Sequence, residues 1–246
     1  MHFEVEYAGG TLTTPNLSRY VAEFVKLELT ETEEKEITTG YSVVYDQVTL
    51  TRSFAAGWNT FVAPVAVDMS EFGEGAKAYS FTDYADGNLT FKEVSSSSLT
   101  VATPYIIYVP EAINEKVFTW NEPVIYSSYV GTDNIKTTKN GATFQGTYAP
   151  IAAPGMEGLW GVTDEAKIAK GTDQASIKGF RAYFDLPDGA NARLTFFNED
   201  GTTTSIMSTE LDKQDAETIY NLQGQKVTKT SKAGLYIKNG KKVIVK

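Results

Sequence analysis

Residues 77–94, KAYSFTDYADGNLTFKEV, decide the fold class. Two runs suited to strands, 77–83 and 88–94, flank Asp86-Gly87-Asn88. Gly and Asn reach positive φ at little cost, so these residues suit a tight turn between antiparallel strands. The same grammar extends along most of the chain. From Tyr41 onward, apolar runs of five to nine residues recur between Gly, Asn, Asp and Pro. They read as strands at 41–54, 58–67, 77–83, 88–94, 99–109, 116–127, 142–148, 157–163, 178–186, 192–198 and 202–207, with Asp200-Gly201 marking a second tight turn. Short strands, frequent turns and no long amphipathic helix predict an all-β chain. The expected form is an antiparallel β-sandwich, one large or two small.

The ends of the chain read differently. Phe3, Val5 and Tyr7 alternate with His2, Glu4 and Glu6, a half-buried strand closed by Gly9-Gly10. Leu17, Tyr20, Val21 and Phe24 have helical spacing behind Asn16, so a short helix is expected over 16–27, although Val21, Val25, Leu27 and Leu29 also share one strand parity. Glu28 to Glu36 holds five Glu and one Lys and reads as a solvated connection. The expected organisation is an N-terminal strand and connection (1–40), a β-sandwich body (41–212) and a C-terminal hairpin module (213–246).

Composition narrows the function. Of 246 residues, 41% are hydrophobic and 12% aromatic, too rich for a disordered chain. The net charge of −9 argues against a nucleic-acid partner, because that affinity comes from basic residues meeting phosphates. With no Cys and a lone His2, thiol nucleophiles, Cys/His zinc sites and any His dyad away from the N-terminus are excluded. The most apolar stretch, 54–69, is broken by Asn59, Thr60, Pro64 and Asp68 and is shorter than the ~20 residues of a membrane helix, so no transmembrane segment is expected. Residues 1–20 lack a charged segment followed by an apolar one, so no signal peptide is read there, and Met1-His2 running straight into FEVEY reads as a trimmed start.

No constellation of side chains carries chemistry by its spacing. There is no Gly-x-Ser-x-Gly elbow, and neither STELDK (208–213) nor SK (231–232) has Ser-x-x-Lys spacing. Asn198-Glu199-Asp200-Gly201 lacks the alternating ligands of a calcium loop and reads as a hairpin tip. Carboxylates are plentiful, but no pair of glycosidase type stands out. No catalytic residue, metal site or cofactor is therefore assigned, and the chain is expected not to be an enzyme. Three Trp are candidates for stacking on sugar rings. Trp58 opens an apolar strand and reads as core. Trp120 and Trp160 lie beside turn residues and are the candidate ligand-binding residues, with core burial as the competing reading for both. In GFRAYFD (179–185), Phe180, Ala182 and Phe184 are assigned to one face, and Arg181 and Asp185 to a cross-strand pair on the other.

Residues 213–246 carry a net charge of +6, against −15 for residues 1–212. The tail reads as two hairpins, one turning at Gln223-Gly224 and one at Asn239-Gly240. Its sequence, IYNLQGQKVTKTSKAGLYIKNGKKVIVK (219–246), resembles the type A sorting domain read by the type IX secretion system of Bacteroidetes. The resemblance rests on Gly224, Gly234, Tyr236, Gly240, Lys241, Lys242, Val243 and Val245. The body, through 48–67, 103–109, 143–150 and 178–186, is similar to uncharacterised surface proteins of Bacteroides and Prevotella. It departs from them at Val62-Ala63-Pro64-Val65, and the tail is a short version of the sorting domain. The resemblance implies a secreted or cell-surface protein that engages secretion machinery through its tail, and it supplies no catalytic residues. The functional expectation is adhesion or association with a glycan or host-surface ligand. An ancillary β-domain of a larger exported enzyme or adhesin is the second reading, and a glycoside hydrolase or lyase the third.

Overall fold

The computed structural model describes residues 25–35, 37, 42–163, 167–187, 192–207, 219–220, 226–227, 234–238 and 241–245. Their strands are β1 (Lys26–Thr30), β2 (Val43–Val44), β3 (Gln47–Phe54), β4 (Gly57–Phe61), β5 (Val67–Asp68), β6 (Lys77–Ala85), β7 (Asn88–Glu93), β8 (Ser98–Leu99), β9 (Tyr105–Val109), β10 (Ile113–Asn121) and β11 (Val124–Ile125). After these come β12 (Lys136–Lys139), β13 (Ala142–Thr147), β14 (Trp160–Val162), β15 (Ile168–Lys170), β16 (Arg181–Asp185), β17 (Arg193–Phe197) and β18 (Thr203–Met207). The tail holds β19 (Ile219–Tyr220), β20 (Lys226–Val227), β21 (Gly234–Lys238) and β22 (Lys241–Val245). Single 3₁₀ turns, such as Met69–Phe72 capped by Asp68, are the sole helical elements among the described residues. None of them is long and apolar enough to cross a membrane. The chain is all-β.

Three sheets organise the body. One has the order β1-β3-β10, one β18-β17-β7-β6-β9-β4, and one β12-β13-β16-β14-β15. Their inward residues form two cores. Leu27 and Leu29 of β1, Leu50 and Phe54 of β3, Phe61 of β4, Tyr105, Ile107 and Val109 of β9 and Phe118 of β10 belong to the first. The second is built from Tyr79 and Phe81 of β6, Phe91 of β7, Ile106 of β9 and Phe196 of β17, with Phe144, Trp160 and Phe184 from the third sheet. Strand alternation explains how β9 serves both cores: Ile106 points one way while Tyr105 and Ile107 point the other. The six-stranded sheet is thus buried on both faces at β9, and the two cores share it.

Several expectations change in the structure. Pairing is not wholly antiparallel, since β1 runs parallel to β3 and β17 parallel to β7. The helix expected over 16–27 lies outside the described residues, apart from Val25 and the first two residues of β1, which are extended. The strand at 3–7 lies outside them as well. The connection from Glu28 is not solvated throughout: β1 runs to Thr30, and Glu31 is 6% exposed. Phe180 does not share a face with Ala182 and Phe184. It sits at φ 58°, which breaks the alternation and sends its ring to the first core while theirs enter the second.

Both expected tight turns form. Asp86 and Gly87 have φ of 49° and 76°, joining β6 to β7, and Asp200 Oδ1 accepts from Thr202 N and its hydroxyl at the β17–β18 tip. In the tail, β19 pairs antiparallel with β20 and β21 with β22, and a β19–β21 pairing joins the two hairpins in one sheet, β20-β19-β21-β22.

Candidate functional site

A cleft of about 750 Å³ opens where the β3–β4 turn and β4 meet β14, β15 and the segment leading into β16. Its size falls in the range of small-molecule sites. One rim is fixed by Asn59, whose Nδ2 donates to the Ala55 and Gly57 carbonyls (2.8 and 3.1 Å) while its Oδ1 accepts from Ala55 N (3.2 Å). Gly57, at φ 94°, lets the chain turn there. The next residue, Trp58, is half-buried in the cleft wall, stacked on Phe196 with ring centroids 4.3 Å apart and edged by Tyr79 and Tyr108. Gly161 and Ala169, paired across β14 and β15, leave the cleft room that larger side chains would fill.

The floor carries an ion-paired cluster. Lys178 Nζ donates to Glu31 Oε1 at 2.9 Å, and Arg181 Nη2 donates to Glu31 Oε2 at 2.8 Å. Gly179 N donates to the Glu31 carbonyl at 2.8 Å, so backbone and side chain together tie the end of β1 to the start of β16. Burial pushes the Glu31 carboxyl up, but the hydrogen bonds and charges of Lys178 and Arg181 outweigh it and hold the group below its ordinary range.

Behind the cluster lies Arg52, fully buried on β3. It donates to the Phe180 carbonyl and, at 2.6 Å, to the Thr60 carbonyl, and its guanidinium lies over the rings of Phe54 and Phe61. Burial, reinforced by nearby Arg181, presses its pKa well down from the usual arginine value, and Glu31 opposes the shift. Arg52 thereby clamps β4 to the strained residue that opens β16.

No protein-family model, curated protein or solved structure matches the chain. What the site can do is therefore argued from its own residues.

The candidates read from the sequence fall in different places. Trp160 is 4% exposed and packs in the second core, so its ring offers no surface platform. Trp120 is half-buried, its ring stacked on Phe118 and its Nε1 donating to the Ala66 carbonyl at 2.8 Å. Neither lines the cleft. Trp58, assigned to the core from sequence, does. Arg181 pairs with Glu31 and not with Asp185. Gly234 and Tyr236 lie on β21, and Lys241, Lys242, Val243 and Val245 on β22, with Tyr236 opposite Val243. Gly224 and Gly240 lie outside the described residues.

Glu31 and Arg52 were missed, although one signal marks both. Leu27, Leu29 and Glu31 share a strand parity, as do Val48, Leu50, Arg52 and Phe54. A charged residue continuing an inward-facing series is a buried charge that needs a partner.

Proposed function

We propose that this chain is a non-enzymatic, exported surface protein that holds a saccharide in the cleft beside Trp58. The observation that carries the reading is the composition of the cleft. Trp58, whose indole suits the apolar face of a pyranose, lines it beside hydroxyl, amide and cationic side chains. Glu31 is the sole acidic side chain among the described lining residues. Both its oxygens are engaged and its pKa is lowered, so at neutral pH it is an ionised partner of two cations and a poor proton donor. A two-carboxylate hydrolysis finds no second member in that lining. Adhesion, surface placement and the reading of the tail by secretion machinery rest on the sequence resemblance and belong to the same proposal.

A plugged cleft tests it. A Cβ built at Gly161 meets no atom within 4 Å, so Gly161→Gln adds bulk without a clash at its first carbon. On an array of mucin-derived and plant glycans, the wild-type chain is expected to retain defined oligosaccharides unchanged in length. Gly161→Gln is expected to weaken retention at least about tenfold with an unshifted melting midpoint. Silence of the folded wild type on every glycan, or binding indifferent to the plug, overturns the proposal.

A further inference from the structure

Among the described residues, the charge balance of the cleft lining is opposite to that of the chain. The whole protein carries −9, yet the described lining holds Lys170, Lys178 and Arg181 against Glu31, with Asp164 and Glu165 lying outside the described residues. Lys178 and Arg181 share that one carboxylate, which leaves the cluster with an excess positive charge. Lys178 is 54% exposed and Arg181 25%, so neither is sealed from a ligand. Lys170, exposed at the end of β15, forms no ion pair or hydrogen bond among the described residues.

The hydroxyls lean the same way. Ser53, Thr163 and Thr172 each accept from a backbone N–H, of Glu115, Lys167 and Gln174. Among the described residues no acceptor engages their own O–H groups, which can donate. The cleft therefore offers ammonium, guanidinium and hydroxyl donors in excess over acceptors. A neutral sugar hydroxyl both donates and accepts. A carboxylate or sulfate ester only accepts, and it gains charge-assisted bonds.

Resting on the saccharide reading above, we infer that the cleft selects anionic saccharides, with an acidic substituent meeting Lys170 and the outward side of the Lys178–Arg181 pair. Carboxylate and sulfate ester share this chemistry, and paired probes separate them. Titration calorimetry would compare trigalacturonic acid with its methyl ester, and sulfated with unsulfated N-acetyllactosamine oligosaccharides. In at least one pair the charged member is expected to bind about tenfold tighter at low salt, with the gap closing toward 1 M salt. The pair that shows the gap names the acidic group. Lys170→Gln is expected to narrow the gap about three- to fivefold with an unchanged melting midpoint. Equal binding of charged and neutral members overturns the charge selection and leaves saccharide binding standing. A charge preference untouched by Lys170→Gln overturns its assignment to this cleft. Absence of binding to all four probes and to the glycan array overturns the saccharide reading, and this inference with it.

Discussion

Glu31 ties the end of β1 to residues 178–181 through one carboxylate. Replacing it by Gln keeps the shape and the carbonyl bond to Gly179 N, and removes the charge that balances Lys178 and Arg181. The neighbouring buried Arg52 loses its compensating anion as well. Breaking a buried ion pair by removing one partner costs about 3–5 kcal/mol, and the exposure of Lys178 trims this. Glu31→Gln is therefore expected to lower the unfolding free energy by about 2–3 kcal/mol at pH 7, read by urea denaturation. The pH profile gives a second reading. The native pKa of Glu31 is depressed below its ordinary value of 4.5, so its contribution is present above that value and is lost as pH falls through the native one. The wild type should lose stability faster than the variant below pH 4.5. Parallel acid limbs would show that Glu31 contributes nothing through its charge.

At the scale of elements, β16 depends on a close approach just before it. A Cβ on Gly179 would stand 2.5 Å from the Tyr148 carbonyl oxygen, a backbone atom that cannot swing aside. Gly179→Ala must push back the Tyr148–Ala149 backbone or shift Gly179 itself, whose amide holds the Glu31 carbonyl and whose neighbour Phe180 receives Arg52. The expected cost is about 2–3 kcal/mol by thermal unfolding, and a variant as stable as the wild type would show that the approach relaxes freely. Elements differ in how plainly the sequence announces them. The β6–β7 hairpin is legible because its turn chemistry and both flanking runs agree. The β12–β13 hairpin has equally good turn residues, Asn140 at φ 47° and Gly141 at φ 86°, but β12 is the polar run KTTK and carries no apolar alternation. Parallel pairing of β1 with β3 and β17 with β7 leaves no local trace, since a strand alternates identically whichever way its neighbour runs. The cleft is illegible for a related reason. Its lining comes from Glu31 just past β1, the β3–β4 turn, β10, β14, β15 and β16, which only the sheet arrangement brings together.

At the scale of the molecule, the described strands of body and tail fall in separate sheets. The body is one cooperative unit in the sense that β9 gives Ile106 to one core and Ile107 to the other. Among the described residues, the tail strands pair with one another in the order β20-β19-β21-β22. Removing residues 215–246 therefore breaks no ladder of the described body sheets. The truncated chain is expected to melt as a single transition within about 2 °C of the full chain, a shift that corresponds to about 0.5–1 kcal/mol. If the tail is read by secretion machinery, the same truncation abolishes surface display in a native host, and grafting 213–246 onto an unrelated exported reporter confers display on it. Unchanged display of the truncated chain sinks the sorting role. A large loss of melting temperature would instead make the four-stranded sheet a structural part of the fold, with its charge of +6 acting on the acidic body. Salt then separates the two cases: an electrostatic attachment weakens as ionic strength rises, whereas the stability of an independent body does not depend on the tail at any salt concentration.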